Sequence, residues 1–412
     1  MIPIIEYQRR GPAFAGQIMP GEAGYRICTR CLMDTTHVEI DFDSVGQCNF
    51  CRGFDLLIGS RRLPQTKLQA QMEQILDIMK RHGRGRSHDC VLGVSGGVDS
   101  SYLALKCKDW GLRPLLVQFD NGWNTELASH NIERLCVALG FDLHTHVVDW
   151  TEFSSLQLAF LKAGVANVEI PTDHGVFACI YRTARSQNIP WALSGVNQAT
   201  EACVALGPDG PLPLTSYGYR YSDLFHLKAI NRRFGGVRLS TYPTMGFFSR
   251  EWLERSGRIR RFDPLNYIDY VKGDAIRELQ QRIDWKPYPG KHFESVITRF
   301  HQSYILPVKF GVDKRKLHLS GLIWSGQLRR EVAIKELDSP PCPQDLLAHD
   351  REFFIKKLRL SEAEFNEIML APPRSSLDYP NSNWLYQLNQ WIWGTAAKTV
   401  LRLRRRPPAS NS

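Results

Sequence analysis

The sequence predicts an α/β protein in which a parallel β-sheet carries helices on both faces. Between residues 89 and 200, short apolar runs alternate with stretches of helical periodicity, which is the pattern of parallel strands joined by helices. The first apolar run leads into a glycine pair, an acid and two hydroxyl residues, VLGVSGGVDSS (91–101). Two Cys-x2-Cys pairs precede this region, and a mainly helical stretch with a basic end follows it.

Each element of this α/β region has a local signal. Strands are predicted for CVLGV, PLLVQF, DLHTHVVD and IPWALSG, which are short apolar runs bounded by turn residues. Helices are predicted between them, for SSYLALKCKDW, NTELASHNIERLCVALG, TEFSSLQLAFLKAG and DHGVFACIYRTARSQN. A connecting helix precedes the first strand, because apolar residues recur at helical spacing in QTKLQAQMEQILDIMK.

Composition limits the class of protein. The 412 residues are 43% hydrophobic and 23% charged, as in ordinary globular proteins, and their number predicts two or three domains. No apolar run approaches the eighteen residues of a membrane span, and the start, MIPIIEYQRRGPAFAGQ, lacks the features of a signal peptide. We therefore expect a cytoplasmic location.

The net charge of +10 is partly local. Much of the excess lies in the C-terminal segment KTVLRLRRRPP, so the sequence does not indicate a nucleic-acid partner for the whole chain. The segment before it, NWLYQLNQWIWGTAA, is aromatic and amphipathic. Such a helix could lie on an anionic membrane surface, dock on a partner, or close the protein's own core.

The two cysteine pairs predict a metal site. Cys28 and Cys31 are separated by sixteen residues from Cys48 and Cys51, and two such knuckles can complete a tetrahedron around Zn²⁺. The intervening VEIDFDSVGQ alternates apolar and polar residues and then turns at Gly46, as a small zinc ribbon would. Because no open ligand position is evident, we expect a structural zinc.

The glycine-rich junction predicts a phosphate site. Ligands of open parallel sheets bind where strands end and helices begin, and glycines allow backbone N–H groups to approach an anion. Asp99 is unusual in such a cradle unless a cation such as Mg²⁺ shields the phosphates. The predicted loop residues are Ser95, Gly96, Gly97, Val98, Asp99, Ser100 and Ser101.

SGGVDSS resembles the pyrophosphate loop (PP-loop) of the N-type ATP pyrophosphatases, which include GMP synthetase and NAD synthetase. The resemblance implies the adenine-nucleotide α-hydrolase-like fold, cleavage of ATP between its α and β phosphates, and ATP and Mg²⁺ as cofactors. Glu201, in SGVNQATEA, takes the place of a family acid that helps hold Mg²⁺ with Asp99. Further candidates for nucleotide or substrate binding are Asp120 and Asn121 in QFDNGW, Asp173 in IPTDHG, and Asn197.

The combination of the four-cysteine ribbon, SGGVDSS, FDNGWNTELASHNI and GKHFESVITRFHQSYILPVKFGVDKRKLHLSGLI is similar to the N-acetyl sugar amidotransferases. This family acts in bacterial surface-polysaccharide and nonulosonic-acid biosynthesis. The likeness predicts a zinc ribbon over 1–60, a connecting helix over 61–88, an ATP pyrophosphatase domain over 89–310 and a helical region over 311–412. Trp324 departs from the family pattern, which would have a small residue or Cys there.

The resemblance implies adenylation of the amide oxygen of an N-acetyl group on a sugar, usually a nucleotide-linked one, followed by displacement of AMP by ammonia. Lys309 is the expected phosphate-binding lysine, ahead of Lys314 and Arg315. His292 and Glu294 are candidates for substrate contact or proton transfer, and helical spacing would place His292 on the same face as Arg299.

The sequence shows no glutaminase constellation. The resemblance therefore implies a separate glutaminase subunit, related to that of histidine biosynthesis, and often a cyclase-like barrel partner. Two alternatives stay open: a tRNA-modifying adenylase or thiolase, which also combines such a loop with zinc knuckles, and a zinc-ribbon scaffold without catalysis. Sulfur transfer usually needs further thiols or a cluster, and the sequence has no third Cys-x2-Cys pair.

Overall fold

A computed structural model describes residues 14, 16–61, 64–207, 210–211 and 219–389. The β-strands are β1 (Cys90–Gly93), β2 (Pro114–Asp120), β3 (Leu143–Val147), β4 (Trp191–Leu193), β5 (Leu206–Gly207), β6 (Gly210–Pro211) and β7 (Arg260–Phe262). Five of them form one parallel sheet in the order β3-β2-β1-β4-β7, and β5 and β6 form a separate antiparallel pair.

Helices make up most of the remaining described chain. The α-helices are α1 (Asn49–Arg61), α2 (Gln65–His82), α3 (Val98–Asp109), α4 (Glu126–Leu139), α5 (Trp150–Ala163), α6 (Ile170–Ser186), α7 (Gln198–Ala205), α8 (Leu224–Ile230), α9 (Phe247–Arg255), α10 (Lys272–Ile283), α11 (Val296–Phe300), α12 (Arg315–Trp324), α13 (Arg330–Leu337), α14 (Gln344–Lys357) and α15 (Glu362–Leu370). Asn231–Gly235 and His301–Phe310 have π-helical geometry, and Pro264–Asn266 and Ser376–Asp378 form 3₁₀ turns. Residues 383–389 are also helical.

The sheet is covered on both faces, as predicted. Successive side chains of a strand point to opposite faces, and Leu115 and Val117 of β2 join one core cluster while Leu116 joins the other. The first cluster includes residues of α5 and α6, and the second includes residues of α2, α3, α4 and α10. The sequence reveals this architecture because buried parallel strands read as continuous apolar runs.

The four predicted strands are confirmed as β1 to β4, but the fifth was missed. β7 is only three residues long, and its Arg260 and Arg261 are exposed while Phe262 is buried. It pairs with β4 from Trp191 to Leu193. A strand of this composition gives no apolar run, so only its position at the sheet edge reveals it.

The region beyond residue 300 is helical, as predicted, but the expected helical face around His292 is wrong. α11 begins at Val296, with Ser295 as its N-cap. His292 lies before the helix with φ of 63°, in the left-handed region. Arg299 is buried in α11 and bonds Asp350, so His292 and Arg299 do not share a helix face.

Among the helices that the structure describes, none is long and apolar enough to cross a bilayer. The aromatic and basic C-terminal segment, for which membrane-surface contact, partner docking and closure of the core were the alternatives, lies mostly in residues 390–412, outside the described residues. The predicted domain boundaries stay predictions.

Candidate active site and cysteine cluster

The predicted phosphate loop joins β1 to α3 and has the local geometry of a cradle. Gly96 has φ of +78°, in the left-handed region that favours glycine. A Cβ atom there would also lie only 2.7 Å from the carbonyl oxygen of Ala128, so a larger residue would clash. Trp285 and Tyr288 donate hydrogen bonds to the Gly96 carbonyl oxygen, over 3.1 and 3.0 Å. These bonds fix the loop with the N-terminus of α3 directly behind it.

The loop forms one wall of a cavity of about 390 Å³ at the carboxyl edge of the sheet. The other walls come from the end of β4, the start of α10 and the segment 285–294. The predicted residues that line the cavity are Ser95, Gly97, Val98, Asp99, Ser100, Glu201, His292 and Glu294. The structure thus brings together residues that are separated by up to two hundred positions in the chain.

Asp99 is held in place by two neighbours. Its Oδ1 accepts a hydrogen bond from Nδ2 of Asn197, over 3.2 Å, and another from the Tyr270 hydroxyl. Burial raises the pKa of Glu201; the cation of Lys291 opposes that rise, and the charge of Asp99 adds to it. A divalent cation would offset the charge of Asp99 that acts on Glu201, and Mg²⁺ commonly takes one or two carboxylates plus phosphate oxygens. Asp99 and Glu201 therefore fit a magnesium site.

Two lysines face these acids. The Nζ atom of Lys291 lies 3.7 Å from Oε1 of Glu201 and donates to the carbonyl oxygen of Thr200 over 3.4 Å. Lys272, the first residue of α10, also lines the cavity, and burial and the charge of Lys291 lower its pKa. Sequence reasoning missed Lys272 and Tyr270, because YIDYVKGDAI carries no motif and only the docking of α10 brings it to the loop.

Glu294 stands beside the loop with His292. The Nδ1 atom of His292 lies 3.3 Å from Oε1 of Glu294, and that oxygen would be 3.4 Å from a Cβ on Gly97. Burial alone would raise the pKa of Glu294, but its interaction with His292, a backbone hydrogen bond and the charge of Lys272 together lower it. Thr125 donates its backbone N–H to the Glu294 carbonyl oxygen, over 2.9 Å, which ties this segment to the β2–α4 turn.

Other predicted residues lie elsewhere. Asp120 and Asn121 stabilise the turn after β2: Asp120 accepts a hydrogen bond from the Gly122 N–H over 2.9 Å, and Asn121 accepts one from the Trp123 N–H over 3.1 Å. Ser101 is buried inside α3. The structure does not bring these side chains to the loop cavity.

Lys309 does not line the loop cavity either. Its Nζ donates to the carbonyl oxygen of Ile368 at the end of α15, and burial lowers its pKa to about 8. Asp173 lies in the first turn of α6 at the carboxyl edge of the sheet. Solvent reaches its side chain. The surrounding protein nevertheless reduces the hydration of the carboxylate, and this effect, followed by the charge of Glu169, raises the pKa of Asp173 to about 7.

A second cavity, of about 400 Å³, adjoins the first. Lys272, Gly290 and Lys291 belong to both walls. Most side chains that line the second cavity are basic or apolar, and one, Glu336, is acidic. The basic side chains are Lys272, Lys291, Arg299, Lys314, Arg315 and His318.

Some of this charge is neutralised by neighbours. Arg299 binds Asp350 through two hydrogen bonds of 2.6 Å, and Arg315 binds Asp313 over 2.7 Å. Burial, and then the nearby lysines, lower the pKa of His318 well below its usual range. The excess of positive charge suits an anionic ligand.

Residues 294–392 match the family model described as the C-terminal domain of WbpG-like LPS biosynthesis proteins. This segment is therefore similar to a WbpG-like C-terminal domain, and for that similarity we call it the WbpG-like domain. The match confirms the likeness to a surface-polysaccharide family that the motifs indicate. The WbpG-like domain contributes Arg299, Lys314, Arg315 and His318 to the second cavity.

No curated protein matches the chain. Solved structures that it resembles include NH3-dependent NAD synthetase from Campylobacter jejuni, with 17% identity, 54% of this chain and 94% of that chain covered and a TM-score of 0.26. NMN synthetase from Francisella tularensis has 12% identity and a TM-score of 0.28, and the match covers 56% of this chain and 100% of that chain. The U34-tRNA thiolase NcsA from Methanococcus maripaludis has 12% identity and a TM-score of 0.30, and the match covers 66% of this chain and 80% of that chain. These scores are too low to support an inference about this chain.

The four predicted cysteines converge next to the WbpG-like domain. All are buried, and the measured separations between their sulfur atoms include 3.7 Å for Cys28–Cys51 and 3.6 Å for Cys31–Cys48. Sulfur atoms at tetrahedral zinc, with bonds of about 2.3 Å, lie about 3.8 Å apart. Within the described part of the chain, no other group of three or more Cys, His, Asp or Glu side chains converges in this way. The cluster is compatible with zinc.

The WbpG-like domain supports this cluster directly. The indole Nε1 of Trp324, at the end of α12, donates to Sγ of Cys51. Arg330 donates to the carbonyl oxygens of Cys31 and Cys28, over 3.2 and 2.9 Å. The first residues of α12 line the second cavity. One helix therefore spans from the cysteine cluster to the cavity wall.

Proposed function

We propose that the chain is the synthetase subunit of an ATP-dependent amidotransferase of lipopolysaccharide biosynthesis. It would convert an acetamido group on an anionic, nucleotide-linked sugar into an acetamidino group. The observation that carries the proposal is the junction of two cavities, one beside the pyrophosphate-type loop and the other basic, with Lys272 and Lys291 in both walls. The WbpG-like domain, which forms part of the basic cavity, supports the polysaccharide pathway.

The first step would join the two ligands at this junction. The loop N–H groups and the start of α3 are suited to the two outer phosphates of ATP. Asp99 and Glu201 would hold Mg²⁺, which supplies charge neutralisation at the phosphates. The amide oxygen of the acceptor attacks the α-phosphorus, a new O–P bond forms, and the bond to pyrophosphate breaks. Lys272 and Lys291 stabilise the charge that develops on the α-phosphoryl oxygens.

The second step would exchange oxygen for nitrogen. The amide carbon now carries an AMP leaving group, ammonia adds to that carbon, and AMP departs with the original acetamido oxygen. The adding nitrogen must lose a proton. Glu294, whose pKa is lowered and which lies beside the loop with His292, is a carboxylate at neutral pH and is suited to accept it.

Ammonia would come from a separate glutaminase. A glutaminase nucleophile is an activated thiolate, whereas burial raises the pKa of Cys179 to about 11 and that of Cys342 to about 11. The thiols of Cys90 and Cys107 are buried. We propose a glutaminase subunit, together with a cyclase-like barrel, as partners.

The test is turnover by the purified chain with ATP, Mg²⁺ and a panel of acetamido nucleotide sugars. We expect AMP and pyrophosphate to form when ammonium is the nitrogen donor, and neither product to form when glutamine is the donor. A heavy oxygen isotope placed in the acetamido group should be recovered in AMP. Formation of ADP, or of AMP without the label, would refute the mechanism. AMP formation that depends on bulk tRNA would instead favour a tRNA-modifying adenylase.

A further inference from the structure

β3 is the outer strand of the five-stranded sheet in the part of the chain that the structure describes. β3 pairs with β2 on one side, and no described residue forms a backbone hydrogen bond to its other edge. Its side chains are also open: Val147 is 67% exposed and Leu143 is 37% exposed, and His144 and Thr145 are exposed. Edge strands are normally protected by Lys, Pro, a bulge or a covering segment, and the sequence LHTHV contains neither Lys nor Pro.

The free backbone groups belong to alternate residues. Asp142 accepts a hydrogen bond from β2 over 2.9 Å, and Val148 donates one to β2 over 3.1 Å. The even-numbered residues therefore turn their backbone groups toward β2. Because neighbouring residues of a strand direct these groups to opposite edges, the N–H and C=O groups of Leu143, Thr145 and Val147 point to the free edge.

We propose that this edge binds the same edge of a second copy of the chain, antiparallel, with a two-fold axis at Thr145. LHTHV has the same pattern in both directions: apolar, His, Thr, His, apolar. The outward-pointing residues then form three facing pairs, namely Leu143 with Val147 of the partner subunit, Thr145 with Thr145 of the partner subunit, and Val147 with Leu143 of the partner subunit. Each pair exchanges both N–H···O=C bonds of an antiparallel ladder.

The side chains support a second copy as the occupant. An interface on a two-fold axis must be self-complementary, since each patch meets itself. Here the axis places two aliphatic pairs and a Thr–Thr pair on one face of the ladder, and such pairs stabilise strand pairing. No charged Asp, Glu, Lys or Arg in the strand opposes the approach.

The dimer is compatible with the candidate active site and does not depend on the proposed function. Antiparallel pairing of β3 joins two parallel five-stranded sheets with their strands running in opposite directions. The loop cavities lie at the carboxyl edges of the strands, so they open at opposite ends of the joined sheet. Both cavities stay accessible to ligands.

The test is sedimentation velocity of the full chain and two charge variants. In the Leu143→Lys/Val147→Lys variant, lysine faces lysine twice, and we expect the dimer to weaken by about tenfold or more. In the Leu143→Lys/Val147→Glu variant, lysine faces glutamate twice, and dimer formation should return toward that of the wild type. Val45→Lys, at a 73% exposed site in the cysteine-rich region, is the control.

The two charge variants share one substitution and the same solvent-exposed positions, so a general loss of folding would affect both. A wild-type chain that stays monomeric at high micromolar concentration would overturn the proposal, as would equal dimer formation by both variants. Cross-linking gives a second readout. Facing Cα atoms in such a pair lie about 5.5 Å apart, within disulfide range. Thr145→Cys should therefore form disulfide-linked dimers on mild oxidation, and Thr151→Cys should not.

Discussion

The indole N–H of Trp324 points at the sulfur atom of Cys51, 3.1 Å away and 273 positions earlier in the chain. The Trp324 ring also stacks on Phe54, with ring centroids 5.5 Å apart. A donor aimed at a thiolate sulfur withdraws negative charge and orients the ligand, as outer-shell partners of metal sites do. Trp324, which departs from the family pattern, thus links the cysteine cluster to α12.

Replacing Trp324 with Phe should weaken metal retention. The variant keeps an aromatic ring against Phe54 but loses the N–H donor, so we expect about tenfold faster zinc release to a chelator. Zinc content by mass spectrometry and release followed with a colorimetric chelator would measure it. Trp384→Phe, at a 62% exposed site, is the matched control. Equal release rates in both variants would contradict the role of Trp324.

The lysines of the cavity junction should outweigh Lys309 in catalysis. Lys272→Met and Lys291→Met should each lower the rate of pyrophosphate release by about a hundredfold, because each removes a cation beside the acids of the loop cavity. Lys309→Met should have a much smaller effect, since Lys309 bonds the carbonyl oxygen of Ile368. Initial rates at saturating ATP decide between them. A larger loss in Lys309→Met would restore the original prediction for that residue.

Tyr270 should position Asp99. Its hydroxyl donates to Oδ1 of Asp99, so Tyr270→Phe leaves that carboxylate with one fewer partner. We expect about tenfold lower kcat/KM for ATP and a higher Mg²⁺ concentration for half-maximal activity. Tyr102→Phe removes the hydroxyl of a ring 5.6 Å away and serves as the control. An unchanged Mg²⁺ dependence in Tyr270→Phe would show that the bond is structural.

The buried ion pair between Arg299 and Asp350 should be important for stability. Both side chains are almost inaccessible, at 8% and 1% exposure. Asp350→Ala leaves a buried guanidinium without its partner and should lower the free energy of unfolding by about 3–5 kcal/mol. The pair of Arg351 and the exposed Glu362 provides the control, because Glu362→Ala should cost about 1 kcal/mol or less. Urea denaturation of both variants measures the difference, and similar midpoints would contradict it.

Asp173 should add a pH dependence to stability. Its pKa is about 7 in the folded chain and about 4 when unfolded. Between these values the folded state binds the proton more tightly, so stability falls as pH rises from about 4 to about 7. Because solvent reaches the side chain, the slope should stay well below the ~1.4 kcal/mol per pH unit of a fully buried group.

Asp173→Asn should flatten that part of the stability curve, and thermal unfolding from pH 4 to 8 would detect the change. If the variant and the wild-type protein have parallel curves, Asp173 does not titrate differently on folding.

The sequence predicted most of the sheet and the loop, because those features are local. Buried apolar runs identify β1, β2 and β4, and the spacing of Cys28, Cys31, Cys48 and Cys51 identifies the cluster. β7 was not predictable, since its burial is confined to Phe262. Its place in the sheet depends on β4, not on its own sequence.

The candidate site was predicted only where one continuous motif supplies it. Ser95 to Ser100 follow from a single strand–loop–helix sequence, and Glu201 follows from the end of another strand. Lys272 and Tyr270 come from a segment without a motif and reach the loop because α10 packs against α3 and α4. His292 lines the cavity, but it precedes the helix on which the sequence analysis placed it.

The sequence by itself determined the chemical groups of this protein: the thiols, the glycine-rich turn and the acids at strand ends. Only the tertiary structure decided which cations face those acids, that a second basic cavity adjoins the loop, and that Trp324 bonds Cys51. The physical reason is the separation along the chain of the residues that set each property. Backbone conformation and burial periodicity depend on residues within a few positions of each other, whereas the field and shape of a cavity depend on side chains brought together by packing.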